Sequence, residues 1–272
     1  MRKRMKLEVL ISAVNCEPEK LIEKMGIEGN AVLINQCGKD AEEIISGENG
    51  EIRVFSFAEK GVGRSRNRAL ERASGDIILF SDDDIEYIPG YEKLVCDEFA
   101  AHPEADALFF NVNVCEARRT YFNEDYKRVH IWNGGRYPAY SIAVRKKALD
   151  RAGVKYSVLF GGGAKYSCGE DSLFIRDCLK AGLKMYRTTV LIGREAEREG
   201  GESTWFKGYD EKFFFDRGVL YYFLYKGLAS LMGFRFIYSK KNVMCRDISW
   251  KKAYSLLKSG IREGKNEYRN IR

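Results

Sequence analysis

Three consecutive aspartates, Asp82, Asp83 and Asp84, follow an apolar run at residues 77–80 with one serine between. Such a run predicts a buried strand, and in an open parallel sheet ligands bind beyond the carboxyl ends of the strands. Adjacent carboxylates raise one another's pKa unless a positive group lies among them. Because Mg²⁺ and Mn²⁺ favour carboxylate oxygens and also bind phosphate, we predict a divalent metal at this cluster. An acidic turn that caps the next helix is the alternative.

A second group lies just upstream, where Gly61 and Gly63 precede a predicted helix that carries Arg64, Arg66 and Arg68. The N-terminus of a helix attracts phosphate through its free N–H groups and its dipole. Arginine adds paired donors that match phosphate oxygens. The pattern alone is equally typical of a flexible turn before a basic helix. Because this pattern lies one strand ahead of the aspartates, the two groups together predict a diphosphate held between arginines and a metal.

A third group is the glycine run at residues 161–163, followed by Glu170 and Asp171 at the start of a predicted helix. Acidic residues are common in the first helical turn, where they interact favourably with the helix dipole, and taken alone this is the more typical use. The functional interpretation is a general base that faces an acceptor hydroxyl.

The elements that must position these groups alternate between strand and helix, which predicts an α/β fold with a mostly parallel sheet and helices on both faces. Strands are predicted at residues 7–14, 31–34, 53–57, 76–80, 107–114, 141–144 and 183–192. Helices are predicted at residues 17–25, 65–73, 89–101 and 171–181.

The C-terminal region differs in composition from the rest of the chain. Residues 213–238 are aromatic and apolar, but charges interrupt them, and the longest uncharged run falls far short of the ~20 residues of a membrane span. Residues 239–272 hold ten Lys or Arg and three Asp or Glu, so this segment carries the whole formal excess of +7. We expect buried or interfacial helices, then an amphipathic helix at residues 248–261 on an anionic membrane surface rather than on nucleic acid. A solvated basic face is the alternative.

The chain of 272 residues is long enough for one large domain with a small appendage, which we place at residues 1–212 and 213–272. Its seven cysteines are odd in number, widely spaced and without a C-x-x-C pair, which favours a reducing, cytoplasmic compartment over a disulfide framework. The short apolar stretch after the basic first residues predicts a strand, not a signal peptide. Together with the basic tail, this predicts a cytoplasmic protein that can lie peripherally at the inner face of a membrane.

The three groups together resemble a known family. The stretch GVGRSRNRALERASGDIILFSDDD, with FGGGAKYSCGED downstream, resembles the family 2 glycosyltransferases of the GT-A fold. The later ESTWFKGYDEKFFFDRG is similar to the end of the catalytic region in bacterial polysaccharide-type members. The resemblance covers residues 7–218, and it implies a GT-A catalytic domain followed by a C-terminal helical extension.

The resemblance also implies roles for individual residues. Three residues would line the pocket for the nucleotide base: Asn15, Asn35 and Gln36. Residues at the ribose and diphosphate of the donor would be Gly61, Arg64, Arg66, Asn67, Asp82 and Asp83. The metal would be held by Asp82 and Asp84. Asp171 would be the catalytic base, with Glu170 beside it. On the acceptor side would lie Trp132, Gly162, Gly163 and Trp205, although either tryptophan could instead anchor the core.

The implied reaction is a single displacement. Metal and arginines neutralise the charge that develops on the nucleoside diphosphate, and Asp171 removes the proton of the attacking hydroxyl, so that the anomeric configuration inverts. The expected donor is a UDP-sugar, with Mn²⁺ or Mg²⁺, and the acceptor a glycan or lipid-linked hydroxyl. The sequence departs from many relatives: amides replace an acidic residue after the second strand, and residues 198–205 lack a histidine. The Q-x-x-R-W signature is absent, which favours transfer of one sugar over polymer synthesis.

Two other functions fit parts of the pattern. A sugar-phosphate nucleotidyltransferase would share a nucleotide-binding sheet, but a basic glycine-rich loop would follow its first strand, where this chain has residues 12–16 without a glycine or a basic residue. A non-catalytic receiver-like domain would bind Mg²⁺ in an acidic pocket, yet it would need neither the long chain after the aspartates nor the distant Glu170 and Asp171.

Overall fold

The computed structural model describes residues 5–47, 49–116, 119–196 and 208–271, and its centre is a ten-stranded sheet. The strands are β1 (Leu7–Val14), β2 (Asn30–Gln36), β3 (Ala41–Ser46), β4 (Glu51–Phe57), β5 (Ile77–Asp82), β6 (Ile85–Tyr87), β7 (Ala107–Asn113), β8 (Lys127–Arg128), β9 (Ile142–Arg145) and β10 (Met185–Glu195). Their order across the sheet is β3-β4-β2-β1-β5-β9-β7-β10-β6, with β8 paired to β10.

Strand direction divides the sheet into two parts. β4, β2, β1 and β5 are neighbours and all parallel, so their carboxyl ends share one edge. β9 lies between β5 and β7 and is antiparallel to both, and β7 is parallel to β10. Six strands therefore run in one direction, and the expectation of a mostly parallel sheet with flanking helices is confirmed.

Helices cover both faces of the sheet. They are α1 (Pro18–Met25), α2 (Val62–Arg72), α3 (Tyr91–Ala101), α4 (Lys146–Ala152) and α5 (Glu170–Lys180). On one face α1 and α3 contribute Met25, Val95 and Phe99 to a core under β1, β2 and β5. On the other face α2 and α5 contribute Ala69 and Phe174 to a second core. Strands buried on both sides explain the continuous apolar runs of the sequence.

Three helices form the C-terminal unit: α6 (Glu211–Tyr225), α7 (Ala229–Met244) and α8 (Trp250–Asn270), with a short 3₁₀ turn before α7. α6 and α8 pack at unusually close range. A Cβ added to Gly218 would lie 2.1 Å from the carbonyl oxygen of Leu257, and one added to Gly260 would lie 1.9 Å from that of Phe215. Only glycines permit this approach of two backbones. In the described part of the chain, no helix is both long and apolar enough to cross a membrane.

Four strands and helices were not predicted from the sequence: β3, β6, β8 and α4. β3 is an edge strand whose residues are almost all exposed, so it lacks the alternation of buried and exposed positions that marks a strand. β6 has only three residues, and the structure places it directly after the aspartate turn. The next element after the aspartates is therefore a strand, and not the helix that an N-terminal acidic cap would need.

Candidate functional site

The guanidinium of Arg66 is the centre of the candidate site. Its Nη2 lies 2.8 Å from Asp82 Oδ1, and its Nη1 lies 2.7 Å from Asp171 Oδ1 and 3.3 Å from Glu170 Oε1. The Arg66 side chain is only 4% exposed, and its guanidinium carbon lies 5.1 Å from the ring centroid of Tyr156. One buried cation thus joins carboxylates that are about ninety residues apart in the sequence. We call Arg66, Asp82, Glu170 and Asp171 the Arg66 cluster.

Local structure of α2 fixes the position of Arg66. The helix begins after Gly61, whose φ of +121° suits glycine. A Cβ on Gly63 would lie 2.2 Å from the carbonyl oxygen of Ser157, so α2 packs directly against that loop. The side chain of Asn67 donates to the Tyr156 carbonyl at 2.9 Å and accepts from the Tyr156 N–H at 2.8 Å. Asn67 thereby holds Tyr156 next to the guanidinium.

The glycine run at residues 161–163 packs on the start of α2. The N–H of Val62 donates to the Gly162 carbonyl at 2.9 Å, and Gly163 has a φ of +77°. At Gly161 the φ is +105°, and a Cβ there would lie 2.7 Å from the carboxyl carbon of Glu170. Glycine is therefore required where this loop passes the acidic pair.

Burial raises the pKa of Asp171 to about 7, against the opposing effect of the Arg66 cation, and the negative charges of Glu170 and Asp82 raise it further. The other oxygen of Asp171, Oδ2, accepts the N–H of Ala139 at 3.1 Å, which fixes the carboxylate in orientation. A carboxylate that titrates close to neutral pH and is held on both oxygens suits a general base. Arg66 stays protonated, because the neighbouring Asp171 and Asp82 carboxylates raise its pKa despite burial.

The aspartate cluster is divided between two environments. Asp82 is the last residue of β5 and contacts Arg66, while Asp83 and Asp84 form the turn into β6. The carbonyl of Asp84 accepts the N–H of Ala196 at 2.7 Å, which ties the turn to the end of β10. Within the described ranges no three His, Cys, Asp or Glu side chains are grouped so as to hold a metal ion. Adjacent carboxylates need a positive group nearby, and for Asp82 this group is the guanidinium of Arg66.

The residues predicted for the base pocket lie together at the carboxyl ends of β1 and β2. Asn15 is exposed, with a φ of +51°, and its N–H donates to the Gln36 carbonyl at 3.1 Å. The side-chain amide of Asn35 accepts the Cys16 N–H at 3.2 Å and donates to the Cys16 carbonyl at 3.1 Å. Gln36 donates from Nε2 to the Gly61 carbonyl at 3.2 Å. Asn35 and Gln36 therefore shape the two loops, and their contact with a base stays a prediction.

A cavity of about 430 Å³ lies beside α5, between residues 131–136 and the end of α6. Its wall includes Ser172, the residue after Asp171, together with Trp132 and Arg176. The Trp132 side chain is 82% exposed and stacks on His130 with ring centroids 4.6 Å apart. An exposed tryptophan is not a core anchor, so that alternative is wrong for Trp132. Arg64 is exposed near the start of α2, and Trp205 lies outside the described residues.

Two contributors to the site were not predicted from the sequence. Tyr156 supplies the ring beside Arg66, and Ala139 supplies a backbone donor to Asp171. Neither carries a local signal, because a buried tyrosine and a backbone N–H look alike at any position. The pairing of Arg66 with Asp82, Glu170 and Asp171 was also missed, since its helix was assigned to the phosphates.

Comparisons with known proteins show which family and fold this chain resembles. Residues 32–157 match the family model of Glycosyl transferase family 2. The predicted resemblance to that family is confirmed. The matched segment contains the glycine–arginine helix start, the three aspartates, Trp132 and Tyr156. Comparison with curated protein sequences gave no match.

Solved structures of a staphylococcal protein share the fold. The chain is similar to S. aureus TarS 1-349 in complex with UDP-GlcNAc, with a TM-score of 0.59 and 16% identity over 89% of this chain and 74% of that one. For the UDP complex of TarS 1-349 the TM-score is 0.60 at 14% identity, over 98% and 92% of the two chains. The fold is therefore of the GT-A type, and together with the family match it indicates a glycosyltransferase.

Proposed function

We propose that the protein is an inverting glycosyltransferase that moves one sugar from a UDP-sugar to a hydroxyl of a glycan or lipid-linked acceptor. The observation that carries this proposal is the state of Asp171, a partly buried carboxylate with a pKa raised to about 7, which is held by Arg66 and adjoins in sequence Ser172 of the cavity wall. A base in that state can take a proton from a hydroxyl near neutral pH. Glycosyl transfer is the reaction of the matched family that needs such a base.

The donor would lie at the carboxyl ends of the parallel strands, where the loops after β1 and β2 meet the start of α2. Asn15 and Arg64 are the exposed polar residues of the predicted donor set there. The start of α2 offers backbone N–H groups and a positive dipole end to a diphosphate. The shared fold with a protein crystallised with UDP and UDP-GlcNAc supports a uridine nucleotide.

In the proposed step, Asp171 takes the proton of the acceptor hydroxyl while that oxygen bonds to the anomeric carbon of the donor sugar. The bond from the anomeric carbon to the diphosphate breaks, and its electron pair leaves with the nucleoside diphosphate. Attack from the face opposite the leaving group inverts the configuration, and no covalent enzyme intermediate forms. Arg66 orients Asp171, and Glu170 adds negative charge that keeps the base proton-accepting.

A divalent metal fits this site as a group shared between protein and donor. Asp82 and Asp84 offer hard carboxylate oxygens, and Mg²⁺ is commonly bound by one or two carboxylates together with substrate phosphates. When bound, the metal would neutralise charge on the diphosphate. Since the described residues do not assemble three protein ligands, we propose that Mn²⁺ binds tightly only when UDP is present.

The acceptor would enter by the cavity beside α5. Trp132 offers an exposed ring on which a sugar face can stack, and Ser172 brings the cavity wall to within one residue of the base. Gly162 and Gly163 pack instead on Val62 and Gly61 at the start of α2, where the diphosphate of the donor would lie. We therefore keep Trp132 as the acceptor platform.

A thermal-shift panel with UDP-, GDP- and CMP-sugars, each with and without Mn²⁺, tests donor and metal together. At a hundredfold excess over its Kd, a ligand stabilises the folded state by about 2.7 kcal/mol. We expect a shift with UDP-sugars that grows with Mn²⁺, and little shift with Mn²⁺ alone. An equal shift for all nucleotides would contradict the uridine assignment. A full Mn²⁺ shift without nucleotide would contradict the shared site.

The Asp171→Asn variant tests the base. We expect it to retain UDP binding and to lose transfer by about a hundredfold or more, the usual contribution of general base catalysis. Asp150→Asn is the matched control, because Asp150 is an exposed aspartate of α4 paired only with Lys146 in the described structure. Transfer at the parent rate by Asp171→Asn would remove Asp171 as the base.

A further inference from the structure

One side of α7 is an exposed apolar stripe. The stripe consists of Leu228, which directly precedes α7, and of Leu231, Phe234 and Tyr238 within it. Their spacings of three, three and four residues place them on one side of the helix. All four are exposed, and Leu231 reaches 64%. A single exposed apolar side chain is ordinary at a protein surface, but a contiguous stripe marks an interaction site.

The opposite side of α7 accounts for its attachment to the protein. Ala229, Gly233, Ile237 and Met244 are buried, and Gly233 packs against the side chain of Leu257 in α8. The helix therefore needs its buried side to fold against α6 and α8. Phe234 and Tyr238 also contact aromatic rings of α8, but they remain 40% and 52% exposed, so the stripe still offers apolar surface to a partner.

Positive charge surrounds the stripe. Between residues 226 and 246 the chain has five Lys or Arg and no Asp or Glu. Arg235 and Lys240 are exposed on α7, and the Lys241 nitrogen lies 4.3 Å from the ring centroid of Tyr238. An apolar stripe flanked by lysines and arginines is the composition of helices that lie in a membrane interface.

α8, by contrast, does not offer such a side. From the sequence, we expected residues 248–261 to form an amphipathic helix on a membrane surface. The helix is present, but Ala253, Leu257 and Gly260 are buried against α6 and α7. The apolar side of α8 is thus used inside the protein, and the exposed apolar residues belong to α7.

We propose that the stripe of α7 seats the protein on an anionic lipid surface. The apolar and aromatic residues would enter the interface, and Arg235, Lys240 and Lys241 would meet anionic headgroups. Binding to nucleic acid would account for the positive charge of this surface but not for its exposed apolar side chains. A second copy explains the stripe, but a symmetric contact would bring two sets of five positive charges together. The proposal uses no residue of the Arg66 cluster and is independent of the proposed transfer activity.

Vesicle co-sedimentation tests the proposal with the full chain. The vesicles are phosphatidylcholine alone, or an equal mixture of phosphatidylcholine and phosphatidylglycerol. We expect binding to the mixed vesicles only. The double variant Leu231→Ser with Phe234→Ser should bind about tenfold less or weaker still, because each side chain loses the gain of leaving water. Ile44→Ser is the matched control, since Ile44 is also 64% exposed but lies on the far edge strand β3.

The charge is tested separately with Lys240→Gln and Lys241→Gln. A lysine near an anionic membrane contributes enough that each loss should weaken binding about fivefold. These surface changes leave the buried side of α7 intact, so they test the proposal even if the serine variant unfolds. Equal binding of all variants, or equal binding to both vesicle types, would overturn it. So would a dimer in light scattering that Leu231→Ser converts to a monomer, because a second copy would then cover the stripe.

Discussion

The Arg66 cluster and the crossing of α6 with α8 are both buried junctions between distant parts of the chain, yet opposite forces hold them. In the cluster, one guanidinium contacts three carboxylates at hydrogen-bond distance. At the crossing, glycines bring two backbones into contact without any charge. The first junction responds to protons and to charged ligands, whereas the second responds only to a change of volume. The proposed chemistry lies at the junction that can change its charge, and the other junction supports the fold.

The two junctions are connected by the loop that precedes α5. The N–H of Ser167 donates to the buried Asp216 of α6 at 2.9 Å, and the Tyr166 hydroxyl donates to Glu267 of α8 at 3.2 Å. A Cβ on Gly169 would lie 2.5 Å from the Leu220 side chain. The C-terminal helices thus hold the segment that ends in the acidic pair, and they are part of the support of the site rather than an appendage.

Replacing Arg66 should have the largest effect on stability. Arg66→Met leaves three carboxylates without their cation, and loss of one partner of a buried ion pair costs about 3–5 kcal/mol. We expect a loss of that order at pH 7 in urea unfolding, and a smaller loss at pH 5, where protonation relieves the repulsion. Arg68→Met is the control, because Arg68 is half-exposed with one carboxylate partner, and about 1 kcal/mol or less is expected. Similar losses for both variants would mean that the cluster is not a stabilising junction.

The α6–α8 crossing should come next. Gly260→Ala places a methyl group 1.9 Å from the Phe215 carbonyl oxygen, so the helices must move apart. Overpacking of this kind costs about 1–3 kcal/mol. Gly227→Ala is the matched control, because nothing lies within 4 Å of its added Cβ. Urea unfolding measures both variants, and the loss for Gly260→Ala should not depend on pH. A loss that changed with pH would place titratable groups at the crossing.

The pH dependence of transfer should separate the junctions further. A base must be deprotonated, so the rate should rise about tenfold per pH unit below the Asp171 pKa of about 7 and level off above it. Stability should show the opposite trend: the raised pKa means that the folded state binds a proton more tightly. That contribution is present below about pH 4 and is lost as pH rises through 7. In Asp171→Asn the stability curve should be flatter over this window. Parallel curves would show that Asp171 titrates elsewhere.

The sequence predicted the pieces of the site but not how they join. Asp82, Glu170 and Asp171 each stood out because carboxylates beside a strand end or a helix start have a local signature. That Arg66 lies between them depends on where β9 enters the sheet and on the contact of Gly63 with the Ser157 loop, which no local pattern encodes. A metal was inferred because a cluster of negative charge demands a positive partner. Asp82 does have a positive partner, the guanidinium of Arg66. Binding of a metal at the aspartates stays a prediction.

The same reason explains what was missed in the fold. Continuous apolar runs revealed the buried strands β1, β2 and β5, while the exposed strand β3 left no pattern. The amphipathic character of α8 was evident, but its partner was not, because a period of 3.6 residues says that one side is covered and not by what. In the structure, the apolar side of α8 packs on α6, and so it lies in the protein interior.

The smallest expected effect concerns Tyr156, whose ring lies beside Arg66. Its hydroxyl is buried and has no hydrogen-bond partner within the described part of the chain. Tyr156→Phe keeps the ring and removes a buried polar atom without a partner. We therefore expect the free energy of unfolding to increase by about 1 kcal/mol or less. Tyr156→Leu, which removes the aromatic face from the cation, is the contrasting variant and should destabilise. If Tyr156→Phe instead weakened UDP binding, the hydroxyl would be a ligand contact, and the Arg66 cluster would extend to its aromatic neighbour.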